Sequence, residues 1–425
     1  MTPVYTAGIK LYGLAARLAG LRSAKARDFA HGRAKAISAL ERLTSERAPN
    51  GYDYWFHVAS LGEFEQARPL IERIKRQTPD ATILLSFFSP SGYNVRKDYD
   101  LATAVVYLPE DTARNAKRFL DIARPKRSVF VKYEFWLNML HELAIRNIPT
   151  YLISAIFRPG QVFFRPWGGV FRRGLRTFRT IYVQDNKSRE LLGGIGVDNV
   201  RITGDTRLDR VHDIMTGQTG FPGIEKWTEG HFTLIVGSSW PRDEDRYLDW
   251  VNMHPEVKVI IAPHEFDEQR LKTLRNRLTG KSILWTEIFN QSAGFSDIEA
   301  TNAPSEDVQV LIVNTFGKLA ALYRYADAVI VGGGFGAGIH NINEAAVYGV
   351  PVIFGPNNHK FKEAADLKNL GGGFEYTTSA DISTLLNRML TDKAFVESSS
   401  KIAGDYIKAN LGATDIIHKE ITSES

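Results

Sequence analysis

Two glutamates follow short apolar runs in the first half of this 425-residue chain. Glu63 comes after the run Tyr54–Val58 and a small-residue turn, where a helical pattern begins. Glu134 comes just after the apolar run that ends at Val131. Ligands of open α/β sheets bind at the carboxyl ends of strands, so both carboxylates could converge on one site, with Glu63 as a general base. Alternatively, Glu63 only complements a helix N-terminus and Glu134 only pairs with Lys132 or an arginine.

Four strand-end motifs in the second half of the chain favour a nucleotide site. Glycines, hydroxyls and polar side chains recur after apolar runs, in Gly237–Pro241, Ala262–Glu265, Asn314–Leu319 and Gly332–Ala345. The last motif joins a glycine-rich turn to a helix start, an arrangement that binds anions. Asn341 and Glu344 lie one turn apart there, where a carboxylate could accept hydrogen bonds from ribose hydroxyls.

Two carboxylate pairs have the spacing of metal ligands, Asp243 with Asp245 and Asp98 with Asp100. The first pair falls in the opening turn of a helix, where acidic residues need no ligand to explain them. The second pair has Lys97 beside it and no glycine loop nearby. We therefore expect neither a metal site nor a bound cofactor.

Basic residues are concentrated in two places. Residues 1–50 contain nine Lys or Arg and three Asp or Glu, while the whole chain has a net charge of +5. Near the start of the chain, apolar residues with helical spacing lie mostly on one face and have basic residues beside them: Ile9, Tyr12, Leu14, Leu18 and Leu21. This pattern predicts an amphipathic helix that lies in a membrane interface. Alternatively, it is a surface helix that packs on its own domain. The stretch 158–179 has six arginines, five aromatic residues and no acid. It could bind phosphate and acyl groups or RNA, or pack as an ordinary core helix.

The elements that must position these residues form two similar series. In each series, short β-rich runs alternate with helical patterns. The candidate strands of the first series are 54–58, 81–87, 104–107, 128–131, 150–153 and 180–183. Those of the second series are 232–236, 258–261, 282–284, 309–313, 328–331 and 351–354. This alternation predicts parallel sheets covered by helices. We expect an α/β protein with two doubly wound Rossmann-like domains facing each other across a cleft, a layout shared by oxidoreductases, epimerases and nucleotide-sugar glycosyltransferases. The expected parts are a basic amphipathic segment at 1–50, a first domain at 51–213 and a second at 214–425.

Composition excludes several classes of protein. Apolar residues make up 44% of the chain and charged residues 24%, which are globular values. The absence of cysteine removes disulfides and thiolate chemistry, and fits a reducing compartment. No apolar stretch is long enough to span a bilayer.

In order and content, these motifs resemble the bacterial Kdo transferases (3-deoxy-D-manno-octulosonic acid transferases), glycosyltransferases of GT-B type. The runs Ala59–Phe64 and Asn341–Glu344 are the most specific. The matching stretches are 57–70, 133–140, 151–156, 184–192, 203–209, 237–245, 263–266, 314–322 and 332–356.

The resemblance implies a role for each matching residue. Glu63 corresponds to the catalytic base, Glu134 to a carboxylate that supports the transition state, and Arg207 to a supporting cation. The residues expected to hold CMP are His264, Glu265, Phe316, Gly317, Lys318, Asn341, Ile342, Asn343 and Glu344. Lys132, Lys318 and the pair His264-Glu265 differ from the family's usual residues.

The function implied is metal-independent, inverting transfer of Kdo from CMP-Kdo to lipid IVA, a lipid A precursor, in lipopolysaccharide biosynthesis. The expected location is the cytoplasmic side of the cell inner membrane, as a peripheral protein on anionic lipids that binds no nucleic acid. The alternatives are another GT-B nucleotide-sugar transferase, a UDP-sugar epimerase, or a nucleic-acid- or lipid-binding protein.

Overall fold

The structure is a computed structural model that describes residues 3–289 and 303–423. The chain forms two compact units, Met1–Arg210 with Asn410–Ser425, and Val211–Ala409. Both units alternate strands with helices, as the sequence predicts.

The first unit opens with two helices and continues with a regular strand–helix alternation. Its helices and strands are α1 (Pro3–Ala19), α2 (Ala24–Arg47), β1 (Tyr54–Val58), α3 (Leu61–Gln77), β2 (Ile83–Phe87), α4 (Pro90–Arg96), β3 (Ala104–Tyr107), α5 (Ala113–Ala123), β4 (Arg127–Val131), α6 (Leu137–Ile145), β5 (Thr150–Ala155), α7 (Gly169–Leu175), β6 (Thr180–Val183), α8 (Asn186–Gly193) and β7 (Val200–Ile202), with a 3₁₀ turn at Val162–Phe164. The next helix, α9 (Thr206–Gly217), begins in the first unit and ends in the second.

All seven strands of this unit are parallel, in the order β3-β2-β1-β4-β5-β6-β7. β1 and β2 are buried along their whole length, because helices cover both faces of the sheet. The strand order reverses between β1 and β4, and ligands of such sheets bind beside this switch point. Glu63 lies in the first turn of α3 after β1, and Glu134 lies in the loop after β4.

Helices α1 and α2 belong to the first unit, but α1 leaves an apolar face exposed. The Tyr5 hydroxyl donates a hydrogen bond of 2.7 Å to Asp111, which ties α1 to the unit. Leu11, Leu14 and Leu18 recur on one helical face and are 54–68% exposed. No helix described in 3–289 and 303–423 is long and apolar enough to cross a membrane.

The second unit contains a second strand–helix series. Its elements are α10 (Pro222–Thr228), β8 (Thr233–Ser239), α11 (Pro241–Met253), β9 (Lys258–Pro263), α12 (Glu268–Arg275), β10 (Ser282–Leu284), α13 (Trp285–Ile288), β11 (Val310–Ile312), α14 (Leu319–Leu322), β12 (Ala328–Val331), α15 (Asn343–Ala346), β13 (Val352–Phe354), α16 (Lys362–Leu370), β14 (Gly373–Glu375), α17 (Ser379–Thr391) and α18 (Lys393–Ala409), with a 3₁₀ turn at Tyr323–Tyr325. The strands are parallel in the order β10-β11-β9-β8-β12-β13-β14, so the switch point lies between β8 and β12.

The end of the chain returns to the first unit, whereas the sequence analysis assigned all of 214–425 to the second domain. The last helix, α19 (Ala413–Ser423), buries Ile417 and Ile421 in the apolar core of the first sheet. The Tyr182 hydroxyl donates a hydrogen bond of 2.8 Å to Glu420, which fixes the helix further. Apolar burial on that sheet therefore decides where the final residues pack.

The sequence analysis missed two strands, β7 and β14. Each is three residues long and lies at an edge of its sheet. In β7, Arg201 and Ile202 are exposed, so no buried apolar run marks the strand.

Candidate active site

Glu63 lies in the first turn of α3, directly beyond the carboxyl end of β1. Ser60 caps this helix by accepting a hydrogen bond of 3.2 Å from the Gly62 amide. The Ser60 hydroxyl also donates to Oε2 of Glu63, which orients the carboxylate. Glu63 is half-buried, so this carboxylate remains accessible at the edge of the sheet.

Glu134 follows β4, the neighbour of β1, and is 8% exposed. Its Oε2 lies 2.9 Å from Nε2 of His57 and 2.6 Å from the indole Nε1 of Trp136. The sequence analysis offered a salt bridge to Lys132 or an arginine as the alternative role. The hydrogen bonds instead come from a buried histidine and an indole.

Arg207 is held by Asp205 at the start of α9. The Arg207 guanidinium donates two hydrogen bonds to Oδ2 of Asp205, at 3.1 and 2.8 Å. Amide groups of Gln66 and Gln184 donate to the same carboxylate. Burial alone would raise the pKa of Asp205, but the Arg207 charge and these hydrogen bonds hold it below its usual value.

Tyr133, the residue next to Glu134, lies among charged groups. Burial raises the pKa of the Tyr133 hydroxyl; the charges of Arg158 and Arg207 lower it, and those of Glu63 and Asp185 raise it. Glu63, Glu134 and Arg207 follow β1, β4 and β7, so the three predicted catalytic residues lie at the carboxyl edge of one sheet.

In the second unit, three aromatic side chains connect the strand-end loops. The Trp240 indole stacks on the His264 ring at 4.5 Å between centroids, and His264 lies 4.6 Å from the His340 ring. The Trp240 Nε1–H donates to Nε2 of His340 at 3.2 Å. Burial and the nearby His264 lower the pKa of His340 to about 4, so this imidazole is neutral at physiological pH.

The predicted CMP residues after β9 and β11 lie on the same edge. His264, Glu265, Phe316 and Gly317 are exposed. The Phe316 ring contacts Phe266 at 4.7 Å between centroids, which joins these two loops. Lys318 is half-buried, and burial lowers its pKa. Ring contacts therefore join the loop after β9 to the loop after β11, and separately to the loops after β8 and β12.

The remaining predicted CMP residues divide into two kinds. Asn341 and Glu344 are half-buried, and the Asn341 amide donates to Oε1 of Glu344 at 3.0 Å. Ile342 and Asn343 are buried, so their side chains are enclosed within the unit. The helix predicted to start behind the glycine-rich turn is α15, which has four residues.

A cavity of about 460 Å³ lies between the β8–α11 turn and the glycine-rich loop. Its lining includes Trp240, Phe335 and His340. Asp243 closes one side, since its Oδ2 accepts hydrogen bonds from the Trp240 and Gly333 amides at 2.9 and 3.0 Å. Burial raises the pKa of this carboxyl.

Two of the four carboxylates that the sequence analysis considered as metal ligands have protein partners. Asp243 joins the two loops, and Asp245 pairs with Arg277 at 2.9 Å. Among residues 3–289 and 303–423, no three His, Asp or Glu side chains group closely enough to hold a metal ion.

Sequence reasoning passed over His57 and Trp240 as functional residues. His57 lies inside β1, where the sequence suggests only a strand residue. Trp240 and His340 lie in motifs that were singled out mainly for their glycines and carboxylates. The available signal was an aromatic or imidazole side chain in each of the loops after the neighbouring strands β9, β8 and β12.

The basic stretch 158–179 is divided between core and surface. Phe163 and Phe178 are buried in the first core, while Trp167 is 74% exposed. Arg172 donates to the backbone carbonyls of Phe163 and Arg165 and so fixes the loop. Most aromatic residues of the stretch therefore serve packing, and Trp167 is the exposed exception.

Comparison with known proteins gives one family. Residues 24–210 match the family model of 3-deoxy-D-manno-octulosonic-acid transferase (Kdo transferase). The enzyme of that name from Aquifex aeolicus (strain VF5) is 27% identical over 362 residues, which cover 83% of this chain and 91% of the relative. The Bordetella pertussis enzyme of that name is 26% identical over 391 residues, which cover 86% of each chain.

Solved structures share the fold. UDP-GlcNAc 2-epimerase from Neisseria meningitidis, bound to UDP-GlcNAc, matches with a TM-score of 0.59 and 13% identity, over 87% of this chain and 100% of that one. MurG of Acinetobacter baumannii matches with a TM-score of 0.55 and 12% identity, over 87% and 99%. These matches confirm the predicted two-domain α/β fold of GT-B type.

Proposed function

The chain belongs to the Kdo transferases, glycosyltransferases of lipopolysaccharide biosynthesis, and we propose that it transfers Kdo from CMP-Kdo to lipid IVA, a lipid A precursor. The observation that carries this proposal is the pair of glutamates at the switch point of the first sheet. Glu63 and Glu134 follow β1 and β4, the two strands between which the order reverses. Ligands bind at such positions in open parallel sheets.

Glu63 acts as the general base in this proposal. It accepts the proton of the attacking acceptor hydroxyl while that oxygen bonds to the anomeric carbon of Kdo. The bond from the anomeric carbon to the CMP phosphate oxygen breaks, its electron pair leaves with CMP, and the configuration at that carbon inverts. The hydrogen bond from Ser60 supports this role because it orients the Glu63 carboxylate.

Backbone donors of the second unit stabilise the departing phosphate without a metal, since the loop Gly332–Gly338 supplies N–H groups. In the first unit, Arg207 supplies a fixed guanidinium that Asp205 orients. CMP itself is held by the carboxyl edge of the second sheet, by residues after β9, β11 and β12. The exposure of His264, Glu265 and Phe316 and the Asn341–Glu344 hydrogen bond support this assignment.

Helix α1 holds the protein at the cytoplasmic face of the inner membrane. Leu11, Leu14 and Leu18 present an exposed apolar face, and Lys10 and Arg17 lie beside it. An amphipathic helix of this kind lies in the headgroup region, where basic side chains attract anionic lipid. The lipid acceptor is reached from the same interface.

One experiment tests both the identity of the product and the role of Glu63 as the base. The purified chain is given CMP-Kdo and lipid IVA in detergent micelles, and mass spectrometry follows Kdo on the lipid while chromatography identifies the nucleotide. We expect Kdo-modified lipid and CMP. Glu63→Gln should lower kcat by about 10²–10⁴-fold, the usual contribution of a general base, while CMP still raises the melting temperature.

Glu65→Gln is the matched control. Glu65 also lies in α3, is half-buried, and pairs with Arg96 at 3.2 Å rather than reaching the proposed site. This variant should keep wild-type turnover. Unmodified lipid IVA would refute the acceptor, and equal losses in both variants would remove the base role from Glu63. In a parallel reaction that offers a UDP-sugar in place of CMP-Kdo, release of UDP would favour the alternative transferase.

A further inference from the structure

Helix α1 contacts the interior of the first unit through Tyr5. The Tyr5 hydroxyl donates a hydrogen bond of 2.7 Å to Oδ2 of Asp111 and accepts one of 3.3 Å from the Leu137 amide. Asp111 is 0% exposed and lies in the loop after β3, and Leu137 is the first residue of α6. A side chain of α1 therefore holds the start of α6.

Asp111 caps α6 from outside the helix. Its carboxylate oxygens accept hydrogen bonds of 3.0 and 2.9 Å from the amides of Asn138 and Met139. Trp136, the residue that precedes the helix, makes no side-chain cap of its own. Amides in the first turn of a helix have no acceptor within the helix, so they need one of this kind. Tyr5 and Asp111 together therefore satisfy the first three amides of α6.

Trp136 connects this helix start to Glu134. Its indole Nε1 lies 2.6 Å from Oε2 of Glu134 and 2.8 Å from Nε2 of His57. The indole also packs on the Phe88 ring, with 4.9 Å between the centroids. Because Trp136 directly precedes α6, a shift of the helix start displaces the indole, and the Glu134 carboxylate then loses the group that holds it.

Helix α2 supports the same loop and the same indole through Arg33, which is 5% exposed. The Arg33 guanidinium lies 5.0 Å from the Phe88 ring centroid and 6.0 Å from that of Trp136. It also donates hydrogen bonds of 3.2 and 3.1 Å to the carbonyls of Leu108 and Pro109. These carbonyls belong to the loop of the capping aspartate, so both amino-terminal helices hold that loop.

We propose that Tyr5, through Asp111, is a positioning residue for Glu134, so that α1 helps to build the active site in addition to contacting the membrane. The inference rests on the proposed function for the part that Glu134 plays in Kdo transfer. The Tyr5 hydroxyl is engaged with Asp111 and the start of α6, so it acts through the loop 132–136 and does not touch substrate. A cap that served stability alone would leave the turnover of the folded enzyme unchanged.

Tyr5→Phe tests this role because it removes the hydroxyl and keeps the ring. Turnover is measured on lipid IVA in detergent micelles, so that attachment to a bilayer has no part in the result. We expect kcat to fall by roughly 10-fold, less than the ~10²-fold that a displacement of about 1 Å can cost. The loss is smaller because Asp111 still accepts from two amides of α6. The KM for CMP-Kdo should stay unchanged.

Tyr182→Phe is the matched control. It also removes a hydrogen bond between a tyrosine and a carboxylate in the first unit, the bond of 2.8 Å to Glu420. Glu420 lies in α19, so this bond fixes the last helix and not the loop of Glu134. The control variant should keep the wild-type kcat.

Hydrogen exchange, followed by mass spectrometry, monitors the loop without any activity. Peptides that cover 132–140 should exchange faster in Tyr5→Phe than in the wild type, and at the wild-type rate in Tyr182→Phe. A double variant then tests whether Tyr5 acts through Glu134. Since residues that act through one another are not additive, Tyr5→Phe should lower the kcat of Glu134→Gln by less than about twofold.

Several results would overturn the inference. Faster exchange at 132–140 with an unchanged kcat makes the cap purely structural, and unchanged exchange shows that Tyr5 does not hold the loop. Equal losses of kcat in Tyr5→Phe and Tyr182→Phe indicate general destabilisation. A full additional loss in the Glu134→Gln background means that Tyr5 does not act through Glu134. If the wild type transfers no Kdo, the proposed function fails, and the exchange at 132–140 still decides whether Tyr5 holds the loop.

Discussion

His340 should make the second unit lose stability as the pH falls. Its pKa is lowered to about 4 by burial and by His264, whereas an unfolded histidine has a pKa of 6.5. The folded ring therefore stays neutral while the unfolded ring takes up a proton. For a histidine with a lowered pKa, stability is complete above about pH 6.5 and is lost between that pH and the folded pKa.

The size of the effect follows from the same two values. Between pH 7.5 and pH 5, proton linkage for these pKa values gives about 2 kcal/mol of lost stability. His340 is only half-buried, and solvent screening lowers such contributions, so we expect about 1 kcal/mol. His340→Gln removes the titrating ring and keeps an acceptor for the Trp240 Nε1–H, so most of the pH dependence assigned to this site should vanish.

Urea unfolding at pH 7.5 and pH 5, followed by tryptophan fluorescence, measures the difference for the wild type and the variant. His359→Gln is the matched control, because His359 is exposed in the same unit, and it should keep the wild-type difference. Histidine NMR should place the midpoint of His340 near pH 4. A midpoint above pH 6, or equal pH dependence in wild type and His340→Gln, would refute the assignment.

Two further predictions concern metal and membrane. Kdo transfer should continue in excess EDTA, since Asp243 and Asp245 have protein partners; loss of activity that magnesium restores would contradict this. Replacing Leu11, Leu14 and Leu18 by serine should weaken sedimentation with anionic vesicles by roughly 10²-fold, at about 1 kcal/mol for each partly buried leucine. The control Leu370→Ser removes an exposed leucine of the second unit and should bind as the wild type, whereas equal binding by the triple variant would reject the interface role of α1.

Most strands could be predicted because the parallel sheets bury them on both faces. Ile83–Phe87 is fully buried and reads as an uninterrupted apolar run. The edge strand Val200–Ile202 gives no such signal, because two of its three side chains are exposed. The position of α19 could not be predicted either. The amphipathic pattern of a helix indicates that one face is buried, but it does not indicate which of the two cores buries it.

The sequence predicts which strand ends carry the site residues, but it does not predict the contacts that those residues make. Glu63 and Glu134 follow strands that the sequence reveals, so their common edge was predictable. The hydrogen-bond partner of Glu134 could not be predicted, because His57 is 77 residues away in the sequence and the direction of its ring depends on the pleat of β1. The motif also gave no sign that the Ile342 side chain is buried, and the contact of Ile342 with a ligand stays a prediction.

Backbone conformation marks the same edges more directly than residue type does. Lys132, Ser154 and Ser238 have φ angles of +61°, +51° and +52°, and each lies at the carboxyl end of a strand. This conformation costs a side-chain-bearing residue about 1 kcal/mol or more, so it persists where surrounding contacts enforce it. Lys132 lies two residues before Glu134, Ser154 bonds Thr206 beside Arg207, and Ser238 lies two residues before Trp240. Sequence reasoning takes glycine as the sign of such turns and therefore overlooks the three places where strained non-glycine residues adjoin the candidate site.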